Sequence, residues 1–160
     1  MANVRAPQIQ VYDSVTEVVC EPEFSIKVRI YYEDTDFGGV VFYANYLKYM
    51  ERARTEFLRC KGVNQSELFA QERRLFVVKS AQLDYLSAAR FDDLLSVTAE
   101  VATVRRASMQ FVQHCTQAQP ADGAQIGKPV VSARVTIACL DADSFKPCAI
   151  PGALKMSLSH

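Results

Sequence analysis

Histidine is scarce in this sequence of 160 residues, which contains only His114 and His160. Ser-His-Asp and Cys-His catalysis both need an imidazole base, and histidine is a common ligand of zinc. The scarcity therefore disfavours both mechanisms and a multi-histidine metal site, and we expect neither a bound metal nor a cofactor. Any hydrolytic chemistry would more naturally depend on carboxylates.

Cysteine patterns that build disulfide frameworks or zinc sites are also missing. The five cysteines are odd in number, widely separated and free of CxxC pairs. Neither a disulfide framework nor a zinc site is therefore predicted. We expect reduced thiols, as in the cytoplasm, at Cys20, Cys60, Cys115, Cys139 and Cys148.

An excess of charge of either sign and a long apolar run are absent as well. Lysine plus arginine and aspartate plus glutamate number 18 each, so no overall positive field would attract nucleic acid or anionic lipid. The N-terminus lacks the pattern of a signal peptide, and no apolar stretch approaches the roughly 20 residues that a membrane span requires. We expect a cytoplasmic protein with no nucleic-acid partner and no membrane span.

A chain of this length fits one domain. Residues 1–22 mix Pro, Gln, Asp and Ser with isolated valines and show no sustained period, which indicates a flexible leader. From Phe24 to Tyr32 apolar residues alternate with polar ones, which predicts a half-buried strand. Residues 23–155 are therefore expected to form a single domain.

The strongest helical pattern runs from Tyr43 to Lys61. Apolar side chains recur there at helical spacing, and Gly62 is a natural C-terminal cap. A second, shorter helix is predicted from Asn64, whose side chain can cap its first turn.

Beyond Arg74 the pattern changes to strands with a period near two. The connections between them are too short for parallel crossovers, so antiparallel pairing is predicted. This order of elements indicates an α+β fold in which one antiparallel sheet wraps a long helix. The predicted strands are Phe76–Tyr85, Leu94–Val104, Met109–Thr116 and Val130–Leu140.

The densest polar segment lies between the first strand and the long helix. A helix N-terminus presents unpaired N–H groups and a partial positive charge, which would polarise an acyl carbonyl. Asp36 could attack such a carbonyl or deprotonate a water molecule that does. Gly38 and Gly39 would leave space for the substrate. The same spacing is also typical of an ordinary turn before a helix, and the residues alone leave both interpretations open.

The string RIYYEDTDFGGVVFYANYLKYMERARTEFLR, from Arg29 to Arg59, resembles the hallmark of the 4-hydroxybenzoyl-CoA thioesterase-like hotdog family. Within that family it is most similar to the YbgC-type acyl-CoA thioesterases. The likeness extends to LFVVKSAQLDYLSAARFDDLLSV, from Leu75 to Val97, and so covers most of the chain.

The resemblance implies an acyl-CoA thioesterase with Asp36 as its catalytic carboxylate. It implies that the backbone N–H of Tyr43 polarises the thioester carbonyl. We expect Gly38, Gly39 and Val40 to line the substrate site. YbgC-type enzymes often have a histidine where this chain has Tyr43, which looks like the 4-hydroxybenzoyl-CoA branch. We expect activity to survive this difference, because the contact is a backbone one, while the preferred acyl group stays open.

The resemblance also implies a hotdog fold with five or six strands and a homodimer or homotetramer whose active sites form between subunits. An alternative hypothesis is a binding module for acyl carrier protein, with little or no catalysis, linked to the Tol-Pal envelope system. Such a module would hold a carrier protein without cleaving thioesters.

Several other residues allow more than one interpretation. Arg90, Arg105 and Arg106 could bind the phosphates of coenzyme A or could lie in solvated turns. Glu51 and Glu56 could be alternative catalytic carboxylates, although pairing with Arg54 and Arg52 is favoured. Four aromatic residues could line an acyl pocket, but core packing is the favoured interpretation; they are Phe37, Phe42, Tyr43 and Tyr46.

Overall fold

A long helix packed against a single antiparallel sheet makes up the computed structural model, which describes residues 15–123 and 125–158. This is the α+β arrangement that the sequence predicts. No helix in the described part of the chain is long and apolar enough to cross a membrane. The elements are β1 (Val15–Val19), β2 (Ser25–Arg29), α1 (Asn45–Cys60), α2 (Gln65–Glu72), β3 (Arg74–Tyr85), β4 (Leu94–Thr98), β5 (Glu100–Val104), β6 (Ser108–Gln119), β7 (Pro129–Asp141) and α3 (Gly152–Ser157).

The sheet has the strand order β1-β2-β4-β6-β7-β3, with β5 also paired to β6. All of these pairs are antiparallel, as predicted. The region predicted as one strand from Leu94 to Val104 is two strands separated at the buried residue Ala99. β4 pairs with the second half of β6 and β5 with the first half. Over the described ranges, this break and the additional strand β1 bring the strand count to seven, above the expected five or six.

Helix α1 buries one face against the sheet, because its apolar residues recur at helical spacing. Phe57 packs edge-to-face on Phe24 from the segment before β2 and on Phe111 from β6, with centroid distances of 5.5 and 5.6 Å. Gly62 follows the helix with a φ of +81°, and its N–H donates to the carbonyl of Arg59, as expected of a C-terminal cap. The side chain of Asn64 caps α2, also as predicted.

The helix begins at Asn45, two residues after the predicted Tyr43. The Asn45 side chain donates to the carbonyl of Asp34 at 2.8 Å, and its N–H donates to the carbonyl of Phe42 at 2.9 Å. These bonds hold residues 42–44 in a turn before α1. Tyr43 therefore precedes the helix instead of starting it.

Part of the predicted leader belongs to the sheet. Strand β1 pairs with β2 from Val15 opposite Val28 to Val19 opposite Ser25, and Val15 is buried. The domain therefore begins before residue 23, since pairing with a neighbouring strand compensates for a weak local pattern. The remainder of the predicted leader, residues 1–14, lies outside the described residues.

A disulfide joins Cys20 to Cys60, with 5.8 Å between their Cα atoms. It connects the turn after β1 to the last residue of α1. The expectation of reduced thiols is therefore wrong for this pair, because 40 residues of sequence separate cysteines that the fold brings together. Cys115, Cys139 and Cys148 are free, and burial raises the pKa of the Cys115 thiol to about 12.

Candidate active site

A tight hairpin between β2 and α1 carries Asp36. Thr35 lies opposite Val41 in an antiparallel bridge, and the Asp36 N–H donates to the carbonyl of Val40 at 2.9 Å. One step further, the Phe42 N–H donates to the carbonyl of Asp34 at 2.9 Å. These bonds bring the two arms of the hairpin together, place Asp36 at its exposed end and direct the chain into the start of α1.

The carboxylate of Asp36 is exposed and only partly engaged. Its Oδ1 accepts a hydrogen bond from the Gly38 N–H at 2.8 Å, and its main-chain carbonyl accepts one from the Gly39 N–H at 3.0 Å. Within the described residues, Oδ2 accepts no hydrogen bond. The hairpin therefore orients one oxygen and leaves the other available to a ligand or a water molecule.

Glycine is required at positions 38 and 39 for different structural reasons. A Cβ atom at Gly38 would lie 3.1 Å from Asp36 Oδ1, so a side chain there would crowd the carboxylate. Gly39 has open space around it but adopts a φ of +73°, which residues with a side chain rarely adopt. The absence of a side chain at Gly38 thus leaves room for the Asp36 carboxylate of the same hairpin. From the sequence alone, the expected reason was room for the substrate.

Tyr43 lies in the turn between this hairpin and α1. Its N–H has no hydrogen-bond acceptor among residues 15–123 and 125–158, and its carbonyl accepts a hydrogen bond from the Tyr85 hydroxyl at 3.0 Å. Among the described residues, no side chain caps the N-terminus of α1, and the first turn of the helix contains no acidic residue. The positive end of the helix dipole therefore lies next to the free N–H of Tyr43 without a capping side chain.

A second turn, over residues 88–93, supports the hairpin. The Val41 N–H donates to the carbonyl of Ala89 at 2.9 Å, and Val40 forms a bridge with Arg90. Asp93 holds this turn in place, because its buried carboxylate accepts three hydrogen bonds of 2.8–2.9 Å. The donors are the N–H groups of Arg90 and Ala121 and the side-chain amide of Gln117.

Sequence reasoning missed Asn45, Tyr85 and Asp93 as residues that shape this site. Asn45 is a residue type that often occurs at helix starts, which is a usable local signal. Asp93 lies in the FDD segment of the family resemblance, but a single aspartate gives no indication of burial. Tyr85 gives no local signal, since its contact with Tyr43 joins residues 42 positions apart.

The three predicted phosphate-binding arginines do not lie together. Arg90 is exposed beside the Asp36 hairpin, whereas Arg105 and Arg106 lie in the turn before β6. The two turns are at opposite ends of β6, whose 12 residues span roughly 35–40 Å when extended. Of these three arginines, only Arg90 therefore lies beside the Asp36 hairpin of the same chain.

The aromatic residues near the hairpin are mostly exposed, which overturns the core interpretation for three of the four. Tyr46 is buried, but Phe37, Phe42 and Tyr43 expose 110%, 41% and 63% of their surface. Exposed aromatic rings at a hairpin tip and a helix start are suited to contact a ligand or a second chain.

The glutamates of α1 form bonds within the helix. Glu56 pairs with Arg59 at 2.5 Å, and Glu51 accepts a hydrogen bond from Thr55 at 2.9 Å. Arg54 is buried and donates to Gln113 in β6 at 2.9 Å, so Glu51 acts on it by charge attraction and not through the expected direct pair. Burial lowers the pKa of this guanidinium.

A cavity of about 530 Å³ lies at the other end of α1. Its walls include the disulfide pair Cys20 and Cys60 together with Phe24 and Phe57, and it contains neither Asp36 nor Tyr43. In the part of the chain that the structure describes, no group of three or more His, Cys, Asp or Glu side chains could hold a metal ion. The hairpin of Asp36 and the start of α1 therefore form the candidate active site.

Comparison with known proteins identifies the family. Residues 30–158 match the model of the thioesterase-like superfamily. The acyl-CoA thioesterase YbgC of Haemophilus influenzae is 42% identical over 137 residues, which cover 86% of this chain and 95% of that protein. The acyl-CoA thioester hydrolase YbgC of Escherichia coli O6:H1 is 40% identical over 128 residues, which cover 80% of this chain and 90% of that protein.

Solved structures agree with this assignment. A probable thioesterase from Bartonella henselae superposes with a TM-score of 0.71 at 31% identity, over 79% of this chain and 98% of that one. The gentisyl-coenzyme A thioesterase BH1999 superposes with a TM-score of 0.72 at 23% identity, over 84% of this chain and 98% of that one, which shows the shared fold. This chain therefore belongs to the thioesterase-like superfamily and has its hotdog fold.

Proposed function

We propose that this protein hydrolyses acyl-CoA thioesters to a free carboxylate and coenzyme A, with Asp36 as the catalytic carboxylate. The observation that carries the proposal is the hairpin that presents the partly engaged Asp36 carboxylate directly before the free N–H of Tyr43. Relatives that are 40–42% identical over most of the chain are named acyl-CoA thioesterases or thioester hydrolases.

The Tyr43 N–H would donate to the thioester carbonyl oxygen, and the N-terminus of α1, which carries no side-chain cap in the described residues, would favour the negative charge that develops there. As a general base, Asp36 would take a proton from a water molecule whose oxygen attacks the thioester carbon. The C–S bond then breaks, and the proton passes to the departing thiolate of coenzyme A.

As a nucleophile, Asp36 would instead form a mixed anhydride with the acyl group as the thiolate leaves, and water would then cleave the anhydride. Turnover in ¹⁸O-labelled water followed by mass spectrometry of the protein tests the nucleophilic route. Label in the Asp36 carboxylate identifies a mixed anhydride that water cleaves at the aspartyl carbon, whereas label confined to the product acid fits both the general base and an anhydride that water cleaves at the acyl carbon.

Replacement of Asp36 by Asn tests the assignment. Asn keeps an oxygen that can accept the Gly38 N–H bond, so the hairpin should fold, but it cannot act as base or nucleophile. We expect kcat for release of free coenzyme A to fall by about 100-fold or more. Asp143→Asn is the matched control, because Asp143 is an exposed carboxylate outside the candidate site that pairs with Arg73.

A fully active Asp36→Asn enzyme would contradict this mechanism. If the wild-type protein cleaves no thioester across short, long and aromatic acyl-CoAs but binds acyl carrier protein tightly, the binding-module alternative would be supported instead. The same panel would establish the preferred acyl group, for which the exposed rings of Phe37, Phe42 and Tyr43 are candidate contacts.

For coenzyme A itself, we propose Arg90 as the phosphate contact nearest to Asp36 in the same chain, and Gly38, Gly39 and Val40 as the backbone that borders the thioester. Arg105 and Arg106 remain candidates only for a ligand that reaches the other end of β6. Arg90→Ala should raise KM for acyl-CoA and leave kcat nearly unchanged if this assignment is right.

We further propose that the protein works as a homodimer or homotetramer in the cytoplasm. The outer edge of β3 supports the oligomer: this strand is 12 residues long, ends the sheet on one side and exposes Val78 and Tyr85. Long open edges with apolar side chains are suited to pair with another strand.

A further inference from the structure

The backbone hydrogen bonds at the start of α1 do not involve Tyr43. The Asn45 N–H donates to the carbonyl of Phe42, and the Leu47 N–H donates to the carbonyl of Ala44. In the described part of the chain, the carbonyl of Tyr43 accepts a hydrogen bond only from the Tyr85 hydroxyl. The conformation of Tyr43 therefore depends on a side chain from another element.

Tyr85 is well placed to hold Tyr43, because its own ring is anchored. It is the last residue of β3, and its ring lies edge-to-face with those of Tyr43 and Tyr46, at centroid distances of 6.4 and 6.0 Å. Tyr46 is buried in α1 and packs on the buried Tyr49 at 5.9 Å. The Tyr46 hydroxyl also accepts the Ala89 N–H at 3.4 Å, which joins this cluster to the turn beside the Asp36 hairpin.

We propose that Tyr85 is a positioning residue for thioester hydrolysis. By donating to the Tyr43 carbonyl, it fixes the backbone of Tyr43, so that the free N–H of the same residue points to the place of the thioester oxygen. Tyr85 would touch neither the reacting atoms nor Asp36. This inference rests on the proposed function, and it adds a residue whose contribution passes through the backbone.

Tyr85→Phe tests this inference, because Phe keeps the ring contacts and removes the hydroxyl alone. We expect kcat to fall about 5- to 10-fold with KM nearly unchanged, which corresponds to the loss of one neutral hydrogen bond that matters in the transition state. Tyr32→Phe is the matched control: the Tyr32 hydroxyl is exposed and makes no hydrogen bond within the described residues, so this variant should keep the wild-type kcat.

Thermal unfolding of both variants separates positioning from stability. A purely structural role for Tyr85 would lower the Tm and leave kcat of the folded enzyme unchanged, and that result would overturn the proposal. A rise in KM alone would also overturn it, since it would place Tyr85 in substrate binding.

A double variant Asp36→Asn/Tyr85→Phe provides a second readout. Because the Tyr43 N–H and Asp36 would contribute separately to one transition state, their effects should multiply, and the double variant should be about 5- to 10-fold slower than Asp36→Asn. A double variant no slower than Asp36→Asn would show that Tyr85 acts only through Asp36 and would contradict action through the Tyr43 N–H. If the wild-type protein cleaves no thioester, the proposed function itself fails; if it does and Tyr85→Phe equals wild type, only the inference on Tyr85 fails.

Discussion

The Asp36 carboxylate packs against the backbone of its own hairpin. A single methyl group added at Gly38 would therefore be enough to displace it. Its Oδ1 lies 2.8 Å from the Gly38 nitrogen and would lie 3.1 Å from a Cβ atom at that residue. Because Gly38 does not adopt a positive φ, alanine is compatible with the backbone there and acts mainly through this contact.

We therefore expect Gly38→Ala to lower kcat about 10- to 100-fold with little loss of stability, since small misplacements of a reacting group have effects of this size. Steady-state release of coenzyme A and thermal unfolding are the measurements. Gly152→Ala is the control, because a Cβ atom at Gly152 meets nothing within 4 Å. Wild-type activity in Gly38→Ala would show that the carboxylate tolerates a shift.

At the scale of elements, the two ends of α1 have different roles. The N-terminal end is joined through Asn45 and Tyr43 to the Asp36 hairpin and to β3. The C-terminal end is joined by the Cys20–Cys60 disulfide to the turn between β1 and β2. The disulfide closes a loop across 40 residues and so restricts the unfolded chain.

Reduction of this disulfide is expected to lower the free energy of unfolding by about 2–4 kcal/mol, the range typical of loops of this size. Urea unfolding with and without reductant measures the change. Cys20→Ser should have the stability of the reduced wild type and should not respond to reductant. A wild-type unfolding curve that reductant leaves unchanged would contradict a stabilising disulfide, and alkylation with mass analysis would report its redox state in cytoplasmic extracts.

At the scale of the whole molecule, the strand order of the described residues ends at β1 on one side and at β3 on the other. β1 has five residues, whereas β3 has 12 and carries Tyr85 at the end that reaches the candidate site. An oligomer that forms through β3 would therefore affect the surroundings of Tyr43 as well as the assembly.

Val78→Lys in β3 is expected to shift the protein to monomers, because a charge on an apolar open edge opposes strand pairing. We expect kcat/KM to fall in parallel. Light scattering coupled to size-exclusion chromatography gives the mass of the species. Val18→Lys is the matched control, since Val18 is an exposed valine on the opposite edge strand β1. An assembly unchanged by Val78→Lys would exclude this edge as the interface.

The parts of the fold that follow from local pattern could be predicted from the sequence. The spacing of apolar residues in α1, the alternation in β2, β4 and β7, and the caps at Gly62 and Asn64 depend on neighbours in the chain. The residues alone left Asp36 either a catalytic candidate or part of an ordinary turn. The family resemblance over Arg29–Arg59 favoured the catalytic role, because a motif of that length is specific in a way that two glycines before a helix are not.

Contacts between distant residues were decided only by the tertiary structure. The Cys20–Cys60 disulfide, the buried Asp93 carboxylate and the Tyr85–Tyr43 hydrogen bond join residues that no local period relates. Exposure of Phe37 and separation of Arg90 from Arg105 likewise depend on where the sheet places each turn. Local sequence thus determined the helices, the strands and the candidate carboxylate. Packing of the sheet against α1 decided which groups surround that carboxylate, including the Tyr43 backbone that Tyr85 holds. The physical reason is that burial and long-range hydrogen bonds exist only in the folded chain.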